Sequence, residues 1–339
     1  MKMLHIAHDF DYPRRVLSSI MQEELQKFGE LVILTRGKQM TEEEIAGHIR
    51  GCDILLTCWG STPIPDSIAA DRGSLKYILN ITGGLRGWIK PCHIAAGIPV
   101  TNWGDAQGPV VAEGAMALLL AVLKNVRALG KLVEGGFWGG GDLPQTSLYK
   151  LRVGIYGMGY IGRKFVDYIL PYESILTGYD PYVSDELWPP AVRRVDSLNA
   201  LFDEGIDCLV LHAGMSPETR HTVTAELLRK LPDDGIVINT ARGGIIDQAA
   251  LMAELHTGRL RAGLDVLDSP EAGDMLLLND PARFYPNLVL SCHVIGGDNW
   301  PRRERLELYH EISLDNIRRF LAGEPLRFPM DLDRYDRST

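Results

Sequence analysis

The sequence predicts an α/β protein built from two Rossmann-like, doubly wound parallel sheets. Three observations support this fold class: short apolar runs alternate with amphipathic stretches, a glycine fingerprint lies in mid-chain, and the chain has more residues than a single hydrophobic core usually accommodates. It has 339 residues, and single hydrophobic cores stop growing near roughly 250–300 residues. Strand–helix alternation is typical of a mostly parallel sheet that helices cover on both faces.

The first hundred residues carry apolar runs that are typical of buried strands. These runs are LHIA, LVILT, DILLT, KYILNIT and IPVTN. Between them, SSIMQEELQKF and TEEEIAGHI have the periodicity of amphipathic helices. One long helix is predicted over about 109–132, and the glycine-rich EGGFWGGGD after it is a candidate hinge or lobe connection.

A second alternating series follows this break. Its predicted strands are LRVGIYG, SILTGYD, CLVLHA, GIVINTA, AGLDVL and NLVLSCH. A charge-rich helix is predicted last, over about 302–321. The second series therefore predicts a second parallel sheet.

Composition narrows the functional classes. The formal net charge of −9 argues against a nucleic-acid-binding protein, because such proteins cluster Lys and Arg. The longest nearly apolar run, 110–123, is too short to span a membrane, and the N-terminus lacks the pattern of a secretory signal. Five cysteines without a C-x-x-C pair indicate reduced thiols in a cytoplasmic protein, and no metal site is predicted.

The segment VGIYGMGYIGRKF is a predicted strand that runs through G-x-G-x-x-G into a helix. Gly157 allows the tight turn, Gly159 lets the backbone approach a pyrophosphate, and Gly162 lets helix and strand pack closely. The pyrophosphate would rest on the helix N-terminus. The predicted cofactor contacts in this segment are Gly157, Met158, Gly159, Tyr160, Ile161 and Gly162.

Asp180 ends the next predicted strand, where an acid accepts hydrogen bonds from an adenosine ribose. Pro181 and Tyr182 follow it, so no adjacent arginine is available for a 2′-phosphate, and the acid would repel that group. The cofactor is therefore predicted to be NAD rather than NADP. The alternative is a glycine turn that only packs, with Asp180 as a solvated strand end.

The blocks that follow resemble the D-isomer-specific 2-hydroxyacid dehydrogenases. They are INTARGGIIDQAAL, AGLDVL and NLVLSCHVIGG, with GIPVTNWGDAQGPVVAEGAMALLLAVLKN upstream. The resemblance covers roughly 75–323 and implies an NAD-binding domain inserted into a substrate domain. We accordingly assign 1–104 and 303–339 to the substrate domain and 105–302 to the NAD-binding Rossmann domain.

The resemblance also implies a homodimer that forms through the NAD-binding domain. In that assembly the long apolar helix from 109 packs against a second subunit. The alternative is an ordinary core helix.

Arg242 and His293 are the predicted catalytic residues. A guanidinium binds a carboxylate bidentately and stays charged, which suits Arg242 for holding a 2-keto acid. Histidine titrates near neutral pH, and His293 in LSCHVIGG is in register with the family's general acid and base. The alternatives are an arginine that caps the next segment and a structural histidine. By resemblance, Thr240 and Ala241 in the arginine motif contact the cofactor.

A run of acids, AGLDVLDSPEAGD, precedes this histidine. By resemblance, Asp265 faces the nicotinamide carboxamide, and a glutamate five residues later pairs with the catalytic histidine. Here the fifth residue is Pro270. One inserted residue would restore the match and make Glu271 the catalytic partner, while Asp268 is the competing candidate.

The loop ITGGLRGWIK departs from the family pattern. The family has alternating glycines here, whose amides hold the substrate carboxylate, but Leu85 stands at the second glycine. Arg86 is an addition that could meet a second anionic group of the substrate or be a solvated loop arginine; both interpretations stay open. The predicted substrate-binding residues are Gly83, Gly84, Leu85, Arg86 and Arg242.

These residues predict an NAD-dependent D-2-hydroxyacid dehydrogenase that acts mainly as a 2-keto acid reductase on a small molecule. Two alternatives stay open. A phosphoglycerate dehydrogenase-like enzyme would need a cationic pocket for phosphate, and a catalytically weak NAD(H)-sensing binding protein of the same fold would need partner surfaces. The retention of Arg242 and His293 favours an enzyme, but the sequence does not name its natural acid.

Overall fold

Two parallel sheets organise the chain in a computed structural model, which describes residues 1–9, 16–139, 143, 145–268, 281–297 and 306–337. The chain divides into a split unit, formed by Met1–Gln107 with Asp298–Thr339, and an inserted unit, Gly108–Gly297. Among the described strands, five form the sheet of the split unit and seven form that of the inserted unit. The predicted fold class is therefore confirmed.

The strands agree closely with the apolar runs of the sequence. They are β1 (Lys2–Ile6), β2 (Glu30–Leu34), β3 (Ile54–Thr57), β4 (Tyr77–Asn80), β5 (Val100–Thr101), β6 (Arg152–Tyr156), β7 (Ile175–Tyr179), β8 (Val192–Arg194), β9 (Cys208–Leu211), β10 (Gly235–Asn239), β11 (Leu260–Leu264) and β12 (Leu288–Leu290). Among the described strands, β8 alone was not predicted, because its sequence, VRR, contains a single apolar residue.

The described α-helices cover both sheets. They are α1 (Ser19–Gln26), α2 (Glu42–Arg50), α3 (Ser67–Ala70), α4 (Pro91–Ala95), α5 (Gly108–Leu123), α6 (Val126–Glu134), α7 (Tyr160–Ile169), α8 (Leu198–Asp203), α9 (Ala225–Lys230), α10 (Gln248–Thr257), α11 (Leu308–Ala322) and α12 (Leu332–Arg337). The charge-rich helix predicted from about 302 is described from Leu308 onwards, as α11.

The prediction of one continuous helix over 109–132 is wrong. The segment forms α5 and α6, whose axes differ by 57°. Asn125 lies between them with a φ of 48°, a left-handed conformation that asparagine tolerates better than most residues. The apolar periodicity runs through this break, which is why the sequence pattern did not reveal it.

Each sheet reverses its strand order at one point. The order is β2-β1-β3-β4-β5 in the split unit and β12-β11-β10-β9-β6-β7-β8 in the inserted unit, and every pairing is parallel. The reversals lie between β1 and β3 and between β6 and β9. In open α/β sheets, ligands bind outside the carboxyl ends of the strands at such reversals.

Helix α5 lies in the core of the inserted unit. Its buried residues include Ala112, Ala115, Leu118, Leu119 and Val122. Gly263 of β11 leaves space for the helix, because a Cβ there would lie only 3.0 Å from the Cβ of Leu118. Close packing of this kind places this face of α5 in the core of the inserted unit.

None of the helices in the described ranges is long and apolar enough by itself to cross a membrane. Gly108–Leu123 and Val126–Glu134 reach that length and composition only when they are taken together across their bend.

A buried arginine ties β11 to the end of α5. The side chain of Arg261 is almost completely buried. Its guanidinium donates to the carbonyl oxygen of Asp234 (3.0 Å from Nη2), to Thr146 Oγ1 (3.2 Å) and to the carbonyl oxygen of Val122 (3.4 Å). Val122 belongs to the last turn of α5, where a positive charge is favourable.

Replacing Arg261 with Met should lower the thermal midpoint of the inserted unit by about 4–8 °C. The reason is the loss of charge-assisted hydrogen bonds to buried acceptors, which costs about 2 kcal/mol. Differential scanning calorimetry measures the shift. The matched control is Arg193→Met, since the Arg193 side chain is 67% exposed and its ion pair with Glu204 contributes little. Equal shifts in both variants would contradict this account of Arg261.

Candidate active site

The glycine fingerprint forms the turn between β6 and α7. Gly157 has a φ of 98°, and a Cβ there would overlap the backbone nitrogen of Ala213, which follows β9. A Cβ on Gly162 would overlap the carbonyl oxygen of Gly157. At Gly159, the N-cap of α7, no described atom occupies the space around a Cβ. The helix N-terminus is therefore open to an approaching group.

Asp180 follows β7 and orders the fingerprint loop. Its Oδ2 accepts a hydrogen bond from the Met158 amide (2.8 Å), and its Oδ1 accepts one from the Tyr182 amide (2.8 Å). The Met158 side chain is fully buried, so this residue contributes its backbone to the loop. The carboxylate lies at the strand end where an acid that binds ribose is expected.

Sequence reasoning missed Arg194 of β8, which lies beside this acid. Its Nη2 lies 3.3 Å from the carbonyl oxygen of Asp180, to which it donates, and its Nη1 lies 2.6 Å from Asp185 Oδ1. The guanidinium also lies 4.5 Å from the Trp188 ring centroid. The charge of Arg194 is thus paired with Asp185. No apolar run marked β8, so the sequence carried no signal for this contact.

Buried polar atoms at the same sheet edge fit a bound NAD molecule. Thr240 is 8% exposed, and its Oγ1 has no hydrogen-bond partner among the described residues. Both ring nitrogens of His212 are likewise buried without a described partner, and burial lowers the pKa of His212 to about 3, so the ring is neutral. Buried hydroxyl groups are normally hydrogen-bonded, and NAD carries hydroxyl, amide and phosphate groups that bond with such atoms.

Arg242 lies on the turn after β10 and is half-buried. Asn239, the last residue of β10, shapes the turn: its Oδ1 accepts from the Ala241 amide (2.9 Å), and its Nδ2 donates to the Arg242 carbonyl (3.0 Å). Arg242 Nη1 donates to the Ala241 carbonyl (2.7 Å). Burial lowers the pKa of Arg242, but a guanidinium stays protonated in proteins. The turn therefore presents a fixed cation.

His293 follows β12 on a strained turn. Cys292 has a φ of 56° and His293 a φ of 58°, both in the left-handed region that disfavours side chains. Such conformations cost about 1–3 kcal/mol each and persist where the surrounding structure fixes them. His293 keeps part of its surface open to solvent, while the surrounding protein desolvates the rest of the side chain.

Asp265 fixes this turn. Its backbone carbonyl accepts from the His293 amide (2.8 Å). Its Oδ1 accepts hydrogen bonds from Ser291 Oγ (2.7 Å), the Val294 amide (3.0 Å) and the Ile295 amide (3.2 Å). A buried carboxylate with these partners holds the histidine in place, a function that the sequence did not reveal. Its contact with nicotinamide stays a prediction.

Strand order brings Arg242, Asp265 and His293 to one edge of the sheet. They follow β10, β11 and β12, which are neighbours in that order. Desolvation lowers the pKa of His293, the positive charge of Arg242 lowers it further, and the negative charge of Asp265 raises it. The predicted catalytic cation and the predicted proton donor thus lie within electrostatic reach of each other.

Asp268 is engaged with a different histidine. Its Oδ2 lies 2.7 Å from His221 Nε2 and 3.6 Å from Arg220 Nη2. The His221 amide donates to the carbonyl oxygen of Gly244 (2.8 Å), next to the turn that carries the arginine. Asp268 therefore braces that turn. Glu271, the predicted partner of the catalytic histidine, lies outside the described residues, and its role stays a prediction.

In the split unit, Asn80 organises the loop after β4. Its side chain is fully buried. Its Nδ2 donates to the carbonyl oxygens of Thr82 (2.6 Å) and Gly84 (3.1 Å). Its Oδ1 accepts from Thr57 Oγ1 (2.9 Å) and Trp88 Nε1 (2.8 Å). The loop is therefore fixed through its carbonyl groups.

The amides of the same loop remain available for a ligand. Within the described ranges, the N–H groups of Gly83, Gly84 and Leu85 donate no hydrogen bond. The Leu85 side chain is 1% exposed and packs in the core, which explains how leucine replaces the family's second glycine. The loop can thus bind a carboxylate through its backbone.

Arg86 has a structural partner that sequence reasoning missed. Its Nη2 donates to the carbonyl oxygens of Tyr335 (3.0 Å) and Asp336 (2.7 Å) in α12. Its guanidinium also lies 5.5 Å from the Tyr335 ring centroid. Arg86 therefore caps the C-terminal turn of α12, where a cation is favourable. Its binding of substrate stays a prediction.

One group of potential metal ligands occurs among the described residues, formed by Asp66, Cys92 and His93. Both ring nitrogens of His93 are occupied, by the Lys90 amide (3.0 Å) and the Pro65 carbonyl (3.1 Å). Asp66 pairs with Lys90 Nζ at 2.7 Å. These contacts leave the histidine without a nitrogen for a metal.

Comparison with known proteins gives a consistent result. The profile of the family described as "D-isomer specific 2-hydroxyacid dehydrogenase, NAD binding domain" matches residues 116–294. A hydroxypyruvate reductase of Thermotoga maritima is 32% identical over 232 residues, which is 68% of this chain and 74% of that protein.

Two further similarities extend over more of this chain. A D-3-phosphoglycerate dehydrogenase of Methanocaldococcus jannaschii is 31% identical over 304 residues. The matched region is 88% of this chain but only 55% of that relative, so this chain spans about half of its length. The structure of D-lactate dehydrogenase with NAD+ from Lactobacillus jensenii is 20% identical and superimposes with a TM-score of 0.76, covering 98% of this chain and 100% of that one. At this identity the structural likeness shows the fold alone.

Replacing Asp265 with Asn should lower the pKa of His293, because the neutral amide removes the negative charge that raises it. Replacing Arg242 with Gln should raise the pKa, because it removes a positive charge. NMR titration of the His293 ring protons measures both shifts. Shifts in the same direction would contradict the electrostatic account. The Asp265→Asn variant should therefore lose the protonated imidazole at a lower pH than the wild type.

Proposed function

Since this chain belongs to the family of D-isomer-specific 2-hydroxyacid dehydrogenases, we propose that it reduces a 2-keto acid to the D-2-hydroxy acid with NADH. The observation that carries the proposal is the juxtaposition of Arg242 and His293 at one sheet edge, where the cation acts on the imidazole. Reduction of a 2-keto acid needs a cation that binds the substrate carboxylate and a titratable group that donates a proton.

Each residue has a chemical task in this proposal. NADH, when bound at the fingerprint, supplies the hydride that carbon 2 of the substrate receives. Arg242 binds the substrate carboxylate and polarises the carbonyl group. His293 holds on its ring nitrogen the proton that passes to the carbonyl oxygen, and it accepts that proton in the reverse reaction. Asp265 keeps the imidazole on its strained turn.

The loop amides of the split unit have a task as well. In the proposal, the N–H groups of Gly83, Gly84 and Leu85 bind a carboxylate oxygen of the substrate. Hydrogen bonds to a charged acceptor contribute about 1.5–3 kcal/mol each. The support is that these amides have no acceptor in the described part of the chain while Asn80 fixes the carbonyl groups around them.

A second candidate is a phosphoglycerate dehydrogenase-like reaction. The M. jannaschii relative favours it, because that protein carries this name. The substrate phosphate would need a cationic partner, for which the sequence suggested Arg86. In the structure, the Arg86 guanidinium donates to carbonyl oxygens at the end of α12. Relatives named glycerate dehydrogenase and hydroxypyruvate reductase support an unphosphorylated substrate.

Replacing His293 with Ala should lower kcat for 2-keto acid reduction by about 10²–10⁴-fold, since a positioned general acid contributes that much. The Kd for NADH should change little. The assay follows NADH consumption with glyoxylate, pyruvate, hydroxypyruvate, 2-ketoglutarate and phosphohydroxypyruvate.

The matched control for this assay is His256→Ala, which removes an exposed histidine that bonds Tyr285. It should keep wild-type turnover. If the wild-type protein binds NADH but reduces none of these acids, the dehydrogenase proposal is wrong and an NAD(H)-sensing protein becomes the better interpretation. A preference for phosphohydroxypyruvate would favour the second candidate.

We further propose that the protein forms a homodimer through the inserted unit, with α6 rather than α5 at the interface. Four large apolar side chains in and just after α6 are exposed to solvent. Their exposed fractions are 56% for Val126, 55% for Val133, 67% for Phe137 and 94% for Trp138. Gly130 lies between the two valines, and no described atom surrounds its Cβ position. An exposed apolar strip of this kind is typical of a subunit interface.

Replacing Val133 with Asp should shift the protein from dimer to monomer, because a charge at the centre of an apolar interface loses its hydration without gaining a partner. Sedimentation velocity measures the mass. Leu187→Asp serves as the matched control, since Leu187 is also 55% exposed but lies outside the strip. A wild-type monomer at micromolar concentration would contradict the proposal.

We also infer a cytoplasmic location. The five cysteines are free thiols in the structure, with Cys52, Cys58 and Cys208 buried, which supports a reducing compartment.

A further inference from the structure

Two tryptophans lie beside the loop after β4, whose amides at Gly83, Gly84 and Leu85 donate no hydrogen bond within the described residues. Trp59 follows β3, Gly83 follows β4 and Trp103 follows β5, so all three lie at the carboxyl edge of one sheet on neighbouring strands. The two indole rings contact each other edge to face, with centroids 5.2 Å apart and an interplanar angle of 88°. Neither tryptophan is among the residues to which the sequence motifs assign a function.

Trp103 lies directly against the loop. A Cβ on Gly83 would overlap the indole atoms Nε1 and Cε2 of Trp103. Trp103 therefore occupies the space that a side chain at position 83 would need. Tyr309 of α11 contacts the indole from another direction, with ring centroids 5.6 Å apart. Trp103 is thus held between Gly83, Trp59 and Tyr309, and its ring forms a fixed wall beside the loop amides.

Trp59 supplies an open aromatic surface at the same place. Its side chain is 41% exposed, although it packs against Trp103 on one side. A large aromatic group that remains partly exposed next to polar binding groups is typical of a small-molecule site, where apolar walls surround a few polar contacts.

Two described arginines near this loop, Arg86 and Arg334, donate hydrogen bonds to other groups of the protein. Arg86 donates to carbonyl oxygens of α12. Arg334 donates to Asn102 Oδ1 (3.3 Å) and to the Pro329 carbonyl (3.1 Å). Asn102 in turn donates to the Gly83 carbonyl (3.0 Å). These guanidinium groups stabilise the surroundings of the loop instead of presenting a charge to a second anionic group of a ligand.

We propose that the Trp59–Trp103 pair receives the carbon-3 substituent of the substrate, so that the preferred substrates are 2-keto acids with an aromatic or branched aliphatic side chain. This inference rests on the proposed function. With the carboxylate on the loop amides, the substituent lies against the indole wall and excludes water from it. A hydroxyl or phosphate on carbon 3 would lose hydration against the apolar ring faces of the two indoles.

The test compares kcat/KM for phenylpyruvate, 4-methyl-2-oxopentanoate, hydroxypyruvate and glyoxylate with NADH. The wild type should favour phenylpyruvate over hydroxypyruvate by roughly tenfold or more. Glyoxylate has no carbon 3, so its reduction reports the proposed function independently of the tryptophans. Trp59→Ala should lower the ratio of kcat/KM for phenylpyruvate to that for glyoxylate by roughly tenfold or more, whereas Trp59→Phe should keep most of the ratio.

Tyr172→Ala is the matched control, since Tyr172 is 43% exposed and belongs to the inserted unit; it should leave the ratio unchanged. Thermal midpoints report whether each variant is folded, and Trp59→Leu replaces the alanine variant if that one unfolds. If glyoxylate is reduced but hydroxypyruvate is preferred, or if the Trp59 variants leave the ratio unchanged, this inference is wrong while the proposed function stands. If no acid is reduced, glyoxylate included, both fail.

Discussion

Parallel strand pairing is the constraint on which the candidate sites depend. Because every strand of a parallel sheet runs the same way, all the loops that follow the strands meet at one edge. In the inserted unit, this rule brings together the residues that follow β10, β11 and β12. Arg242 and His293 lie at the same sheet edge, although more than forty residues separate them in the sequence. In the split unit it gathers the two tryptophans and the glycine loop. Neither grouping is visible as a contiguous motif.

Buried polar side chains at strand ends then fix these loops. Asn80 closes β4, Asn239 closes β10, and Asp265 directly follows β11. Each is nearly or fully buried, and each forms hydrogen bonds with backbone or side-chain groups around the loop that follows its strand or a neighbouring one. Such groups would be costly if left unpaired, so their bonds favour a single loop geometry. The strained left-handed turn at His293 persists because Asp265 holds both sides of it.

The apolar segment from 108 to 138 shows how one composition serves two purposes. Its first helix, α5, is buried against the sheet, where Gly263 allows a close approach. After the left-handed Asn125, the chain turns by 57° and α6 leaves apolar side chains exposed. A hydrophobic residue in sequence is equally apolar in both settings, so composition alone does not separate a core helix from a surface strip.

The two parallel sheets, the glycine turn with its acid and the two catalytic candidates were all predictable from the amino-acid sequence. Local signals are sufficient for these features, because buried strands need apolar runs and the turn at Gly157 needs a residue that accepts a positive φ. The hydrogen-bond and packing partners of these side chains follow only from the tertiary structure. Asp268 forms an ion pair with His221, and Arg86 donates to a carbonyl oxygen of α12. Asp265 accepts hydrogen bonds that hold the turn at His293, and Trp59 packs against Trp103. The physical reason is that a side chain's identity states which bonds it can make, whereas the choice among possible partners depends on how distant strands and helices pack.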